Sequence, residues 1–167
     1  MDYNKKSLSV SSMLFPSLNS SLDGISIDIF LYGCKRHCKN CHNKELQEFK
    51  TPNHSIADIL AAIHRNIQYN VAVVTILGGE PLDTDNDILI DLILAIKNEF
   101  PKLKVAMFTG YEMSQIPLKV LKALDYVKTG EYDETKPSKF GSFLATTNQK
   151  MFKRISSGVF IQQYPMN

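Results

Sequence analysis

The sequence contains no tryptophan, three cysteines and no long apolar run. Its most apolar segment, residues 88–96, is interrupted by Asp91 and is too short to cross a bilayer. Residues 1–21 also have no apolar stretch of the length that a signal peptide requires. These absences predict a cytoplasmic protein without a membrane partner, in a compartment that keeps thiols reduced.

An excess of one charge is also missing. Lys and Arg number 19 against 17 Asp and Glu, which gives a net charge of +2 at pH 7. Nucleic-acid-binding domains usually concentrate positive charge on one face, so we expect no nucleic-acid partner. The 167 residues are 44% hydrophobic and 22% charged, which is typical of one globular domain. We predict a single domain over residues 1–167, in which the Ser-rich residues 1–24 form an N-terminal arm.

Strand-like and helix-like patterns alternate along the chain from residue 25 onward. Ser55 is expected to cap the first helix, with Asp58 in its first turn. Strands are predicted at residues 25–31, 71–77, 103–108, 126–128 and 159–163, and apolar helical stripes at 56–67, 88–96 and 116–124. This alternation predicts an α/β fold with parallel strands and right-handed crossovers.

Four short segments follow the carboxyl ends of predicted strands. They are the cysteine-containing residues 33–43, Gly-Gly-Glu-Pro at 78–81, Thr-Gly-Tyr at 109–111 and Thr-Gly at 129–130. Ligands of α/β proteins bind at this edge of the sheet. The sequence therefore predicts that the functional site lies there.

All three cysteines lie within eight residues, as C-x3-C-x2-C at Cys34, Cys38 and Cys41. An odd number of clustered cysteines in a reducing compartment favours metal ligation over disulfides. One interpretation is structural zinc, with a histidine such as His37 or His42 as the fourth ligand. The other is a 4Fe–4S cluster on three thiolates, which leaves one iron open to a substrate or cofactor.

The C-x3-C-x2-C loop after the first strand and the Gly-Gly-Glu-Pro turn after the second together resemble the radical S-adenosylmethionine superfamily. The resemblance implies a partial, open parallel α/β barrel. It also implies a 4Fe–4S cluster whose open iron binds S-adenosylmethionine, and whose electron cleaves the sulfonium to give a 5′-deoxyadenosyl radical. Cys34, Cys38 and Cys41 would be the cluster ligands.

The same resemblance implies the residues that contact S-adenosylmethionine. Gly78 and Gly79 would allow close approach of the backbone, and Glu80 would receive the ammonium of the methionyl part. The remaining cofactor-binding residues implied by the family motifs are Asn40, Cys41, His42 and Thr109. No acid–base catalytic residue is expected beyond the cluster and cofactor, because the radical removes the hydrogen atom.

A closer resemblance is to the glycyl-radical-activating enzymes of anaerobic ribonucleoside-triphosphate reductases. It is carried by the short chain, by Cys-His-Asn at 41–43, by Phe-Thr-Gly-Tyr at 108–111 and by Asn-Gln at 148–149, and covers about residues 25–150. It implies hydrogen abstraction from a glycine Cα of the large reductase, with flavodoxin or another protein as electron donor. Asn40, Thr129-Gly130 and Phe140-Gly141-Ser142 depart from that family's pattern.

Two alternative functions remain open: the same chemistry on a small molecule or another protein, and a zinc-binding module without catalysis. Individual residues also have two interpretations. The basic side chains of residues 35–39 would either dock an acidic electron donor or compensate the cluster charge. Tyr111 is expected in the cofactor pocket, Asn148 and Gln149 would contact the partner or brace a loop, and His54 and His64 are expected to be structural.

Overall fold

Four parallel strands form the centre of a seven-stranded sheet in the computed structural model, which describes residues 2–18, 20, 23–139, 144–156 and 158–164. The sheet order is β2-β3-β5-β6-β7-β8-β9, and β3, β5, β6 and β7 run parallel. The strands are β1 Ser7–Leu8, β2 Val10–Ser17, β3 Ser26–Leu31, β4 His54–Ser55, β5 Val73–Gly78, β6 Lys104–Phe108, β7 Tyr126–Thr129, β8 Lys150–Ser156 and β9 Val159–Tyr164. The helices are α1 Ile56–Asn66, α2 Asn86–Glu99 and α3 Leu118–Ala123.

Helix α1 begins where the sequence predicts it, whereas α2 begins two residues before the predicted apolar stripe and α3 two residues after it. The Ser55 hydroxyl accepts from the Asp58 backbone N–H at 3.1 Å, and the Asp58 carboxylate accepts from the Ser55 backbone N–H at 2.9 Å. This reciprocal capping box confirms the predicted start of α1. The Asp85 carboxylate caps α2 by accepting from the backbone N–H groups of Asp87 and Ile88, without a reciprocal bond.

Both faces of the parallel strands are covered. Val74 and Ile76 of β5 belong to the main core with the apolar stripes of α1 and α2, whereas Val73 belongs to a second cluster. Because successive strand residues point to opposite faces, the second cluster lies on the face away from the helices. Its buried members are Val73, Ala106, Tyr126, Leu144 and Met151, and Phe108 packs against them. This two-sided burial explains why residues 71–77 are apolar except for Thr75.

The carboxyl ends of the four parallel strands lie at one edge of the sheet. β3 ends at Leu31, β5 at Gly78, β6 at Phe108 and β7 at Thr129. The cysteine loop and the three glycine-containing turns therefore meet at this edge, as the sequence predicts.

The two ends of the chain add strands that the sequence analysis did not predict. Within the predicted arm, β2 pairs antiparallel with β3, and β1 pairs with β4. Near the other end, β8 pairs antiparallel with β7, and the predicted last strand, β9, follows it as an antiparallel partner. The partial barrel stays a prediction, since strand order and direction do not test it. The segment Phe140-Gly141-Ser142 lies outside the described residues.

None of the helices within the described ranges is long and apolar enough to span a membrane.

Candidate metal centre

The cysteine loop, residues 33–43, is held at its start by backbone hydrogen bonds to the segment that follows it. The Gly33 N–H donates to the Leu46 carbonyl at 2.8 Å, and the Cys34 N–H donates to the Gln47 carbonyl at 3.0 Å. Gly33 has a φ of +94°, and a Cβ there would lie 2.7 Å from the Phe49 ring. Glycine is therefore required for the chain to turn from β3 into the loop.

The three thiols line one cavity of about 250 Å³ at the carboxyl edge of the sheet. All three are free; Cys34 is buried, and Cys38 and Cys41 are half-buried. Burial raises the pKa of Cys34, although the backbone N–H groups of Arg36 and His37 oppose it. Burial also raises the pKa of Cys38, and the Glu131 carboxylate adds to this effect. The thiols of Cys34 and Cys38 are therefore protonated at neutral pH without a metal, and metal binding must release these protons.

The Gly-Gly-Glu-Pro turn packs directly on the cysteine loop. The Gly79 N–H donates to the Leu31 carbonyl and the Glu80 N–H to the Gly33 carbonyl, both at 2.8 Å. Gly78 has a φ of +114°, and a Cβ on it would lie 2.6 Å from the Leu31 nitrogen. A Cβ on Gly79 would lie 2.4 Å from the Gly33 oxygen. The glycines therefore allow close approach of the chain's own backbone, a reason that the sequence analysis did not give.

The Glu80 carboxylate links two of the strand-end turns. It is 1% exposed and accepts from the Thr109 hydroxyl at 2.7 Å, the Gly110 N–H at 2.8 Å and the Leu82 N–H at 3.1 Å. Burial raises its pKa, and these three hydrogen bonds oppose the shift. Both carboxylate oxygens therefore have protein donors, in addition to any contact that Glu80 makes with a ligand in the cavity.

An acidic segment, residues 131–134, also contacts the cysteine loop. Glu134 forms an ion pair with Lys39 at 2.7 Å and also accepts from the Asn40 side-chain amide. The Tyr132 hydroxyl lies 3.2 Å from His42 Nε2, and the two rings are 4.9 Å apart. These contacts join residues about ninety positions apart in the chain, and no sequence motif signalled them.

Glu131 adds two further contacts between this acidic segment and the loop. Its carboxylate pairs with the Arg36 guanidinium at 3.4 Å and accepts from the Cys38 thiol at 3.7 Å. Its backbone carbonyl accepts from the Asn148 side-chain amide at 2.7 Å, so Asn148 braces a loop. Arg36 and Lys39 thus form ion pairs within the chain, a role that neither interpretation of these basic side chains had included.

Most of the predicted site residues border the same cavity. Those that do are Cys34, Cys38, Cys41, His42, Gly78, Gly79, Glu80 and Thr109. Asn40 is not among the lining residues; it has a left-handed φ of +52°, and its side chain bonds to Glu134. Tyr111 also lies outside this lining, where its hydroxyl donates to Asp83 at 2.9 Å and Arg36 covers its ring at 4.8 Å.

Several lining residues were not named as metal or cofactor contacts, although Arg36, Asn43, Gly110 and Gly130 belong to the segments predicted to meet at the site. They are Arg36, Asn43, Leu77, Phe108, Gly110, Lys128, Gly130, Tyr132, Ala145 and Gln149. The side-chain amide of Gln149 donates to the Gly130 carbonyl at 3.1 Å, so it braces the last strand-end turn while bordering the cavity. The sequence held one signal for Lys128. Side chains alternate along β7, so Lys128 lies on the same face of the sheet as the buried Tyr126, where a lysine is unusual.

The donor set fits an iron–sulfur cluster. Within the described ranges, no group of three or more His, Cys, Asp or Glu side chains converges on one metal ion. A 4Fe–4S cluster makes a different demand, because each thiolate binds a separate iron of the cluster. Three free thiols around one cavity match that arrangement.

The chain is similar to two proteins of known role. It is 26% identical over 122 residues to the anaerobic ribonucleoside-triphosphate reductase-activating protein of Enterobacteria phage T4, an alignment that covers 70% of this chain and 76% of the relative. The protein of the same name from Pasteurella multocida (strain Pm70) is 22% identical over 141 residues, which cover 78% of this chain and 89% of the relative. The resemblance expected from the motifs is confirmed. Residues 23–152 match the family model described as a 4Fe-4S single cluster domain, and the chain belongs to that family.

Proposed function

We propose that this chain is a radical S-adenosylmethionine activase, which installs a glycyl radical on an anaerobic ribonucleoside-triphosphate reductase. The observation that carries the proposal is the cavity itself. Three thiols, the Gly-Gly-Glu turn and Thr109 border one space at the carboxyl edge of the parallel strands. The names of the two relatives, both reductase-activating proteins, support the choice of partner.

In this proposal, Cys34, Cys38 and Cys41 would hold the cluster through their thiolates, and S-adenosylmethionine would bind beside it. A bound cluster would supply the electron for reductive cleavage of S-adenosylmethionine to methionine, with transfer of a hydrogen atom from the glycine Cα to the 5′-deoxyadenosyl group. The Gly78–Glu80 turn and Thr109 border the space for the methionyl part. The backbone of residues 40–42, on the loop itself, is the remaining predicted contact.

The chain's residues position the reactants and do not transfer protons. The electron comes from a reduced external donor, and flavodoxin or a similar low-potential protein is the class that we propose. The products are methionine, 5′-deoxyadenosine and the reductase carrying a glycyl radical, so atoms and electrons balance. We further propose the partial barrel as the fold that brings these reactants together, and the cytoplasm as the location.

A small-molecule substrate is the second candidate, and one observation favours it. A pocket lined by extra charged groups and covered by a C-terminal segment would favour that version, and Arg36, Glu80 and Lys128 line the cavity. Arg36 and Glu80 have protein partners, which leaves Lys128 as the feature that bears on it. The two candidates differ in the molecule that loses the hydrogen atom. An assay with the reductase distinguishes them, because only the first candidate leaves a glycyl radical on it.

The test is anaerobic reconstitution followed by iron and sulfide analysis, with a Cys38→Ala variant as control. We expect about four iron and four sulfide per wild-type chain and a broad visible absorption. After reduction with dithionite, S-adenosylmethionine should yield 5′-deoxyadenosine. The reductase should then show a glycyl-radical signal by electron paramagnetic resonance, and C38A should show neither product.

Two results would overturn the proposal in different ways. Zinc at about one per chain, with no iron after reconstitution, would assign the thiols to a structural metal. A loaded cluster that forms 5′-deoxyadenosine but never transfers the radical to the reductase would retain the chemistry and remove the proposed substrate.

A further inference from the structure

Lys128 places a cation in an apolar part of the cavity. The residue lies near the end of β7, opposite Phe108 of β6 and Met151 of β8. Its ammonium lies 4.3 Å from the centroid of the Phe108 ring, and the side chain lines the cavity with the three cysteines. Phe108 packs on the second apolar cluster, which includes the buried Tyr126 and Met151. The Lys128 side chain is half-buried, and its ammonium faces this apolar surface.

The chain does not neutralise this charge. Across the residues that the structure describes, no carboxylate or other acceptor pairs with the Lys128 ammonium, and burial lowers its pKa to about 8. The two other charged side chains of the cavity have partners, because Glu80 accepts three protein donors and Arg36 pairs with Glu131. A desolvated cation without a counter-charge is unfavourable, and a bound anion would relieve the cost.

We propose that Lys128 forms a carboxylate-binding subsite within the cavity. One ammonium neutralises one negative charge, which matches a carboxylate, whereas a phosphate brings nearly two at neutral pH. The inference rests on the proposed function, which offers two sources of that group. One is the methionyl carboxylate of S-adenosylmethionine, and the other is an acidic side chain near the target glycine of the reductase.

The test measures binding to anaerobically loaded protein, with three variants. Lys128→Met removes the charge and keeps the chain length, and Lys128→Arg keeps the charge. Lys153→Met is the matched control, since Lys153 lies over the Tyr126 ring on the adjacent strand but is not among the residues lining the cavity. The probes are S-adenosylmethionine and 5′-methylthioadenosine, which has the same nucleoside and sulfur but no carboxylate.

If the cofactor supplies the carboxylate, K128M should weaken S-adenosylmethionine binding roughly 10- to 100-fold, the effect of one charge-assisted hydrogen bond. Binding of 5′-methylthioadenosine should not change. K128R should retain most of the affinity, and K153M all of it. Calorimetry reads these affinities directly, without any contribution from turnover.

If the reductase supplies the carboxylate, K128M should leave S-adenosylmethionine binding unchanged and weaken the complex with the reductase by a similar factor. Neutralising the acidic residues near the target glycine should then reproduce that loss with the wild-type activase.

Unchanged affinities for both ligands would overturn the inference. So would a K128M effect confined to the reduction potential of the cluster, because that result would assign Lys128 to compensation of cluster charge. A wild-type protein that binds neither ligand would overturn the proposed function itself, and this outcome is distinct because it does not depend on the variants.

Discussion

The uncompensated charge of Lys128 makes a prediction about folding that is independent of any ligand. Replacement by Met should stabilise the metal-free protein at neutral pH. The folded state lowers the pKa of Lys128 from 10.5 to about 8. Each pKa unit corresponds to about 1.4 kcal/mol, so the folded protein loses as much as about 3 kcal/mol by holding the ammonium there. K128M removes that loss.

The sign of the pH dependence follows from the direction of the shift. Below pH 8 the lysine is protonated in both states, and the full cost is present. Between pH 8 and 10.5 the unfolded chain binds more protons than the folded chain, so wild-type stability gains with rising pH from this residue. The advantage of K128M should therefore be largest at pH 7 and should shrink as the pH approaches 10.

The assay is guanidinium unfolding of metal-free protein under reducing, anaerobic conditions at pH 7, 8.5 and 10, followed by far-ultraviolet circular dichroism. The difference between variant and wild type isolates Lys128 from other groups that titrate over this range. K153M, which removes a lysine over an aromatic ring of the same face, should change stability by less than about 1 kcal/mol. A K128M protein that is no more stable than wild type at pH 7, or an advantage that persists unchanged at pH 10, would refute the reasoning.

Two further predictions concern the cysteine loop and the Gly-Gly-Glu-Pro turn that packs on it. Glu134→Ala should speed the loss of iron from the loaded protein several-fold, measured by bleaching of the visible absorption in the presence of a chelator, because Lys39 loses its partner. The free energy of unfolding should change by less than about 1 kcal/mol, since that ion pair is exposed. Asp133→Ala is the control, because the contacts of Asp133 are local to its own turn. Equal rates of iron loss for the two variants would contradict a role of Glu134 in holding the cysteine loop. Gly79→Ala should destabilise the protein by about 1–3 kcal/mol in guanidinium unfolding, because its Cβ would meet backbone. Gly110→Ala should cost less, because the group it meets is a side chain that is able to move, and the reverse order would show that the turn is not tightly packed.

The central sheet was predictable because its chemistry is local. Parallel strands covered on both faces need continuous apolar runs, and the run at 71–77 became β5 for that reason. By contrast, β2 mixes serine with apolar residues and contains a proline, so its own sequence does not resemble a strand. The strand is instead stabilised by its antiparallel pairing with β3.

Asp91 illustrates the same limit in the core. As a sequence feature it interrupts an apolar stretch, and nothing nearby suggests a partner. In the structure it is buried on α2 and pairs with Lys6, which lies in the predicted N-terminal arm. A contact over 85 positions depends on the complete fold, and local patterns do not contain it.

In the candidate site, too, the local features were predictable and the contacts between distant residues were not. The strand-end rule and the cysteine spacing predicted which segments meet, because each is a property of one short stretch. The acidic segment was not predicted as part of the site, because no motif marks its two glutamates in the sequence. Their partners lie in the cysteine loop, which is distant in the chain. The sequence predicts Lys128 only as a strand residue. That its charge lacks a partner among the described residues follows from the neighbouring strands, which place Phe108 and Met151 beside it.

The contacts of Glu134 with Lys39 and Asn40, which clamp the acidic segment onto the cysteine loop, have a consequence for biosynthesis. Asn40 and Glu134 are 94 residues apart, so the cysteines leave the ribosome well before the segment that holds their loop. At about 5–20 residues per second, that interval lasts roughly 5 to 20 s. During it the thiols are on a chain whose clamp does not yet exist. Delivery of iron and sulfide is therefore best timed after translation has passed residue 134, and a nascent chain made in air would be at its most vulnerable in that interval.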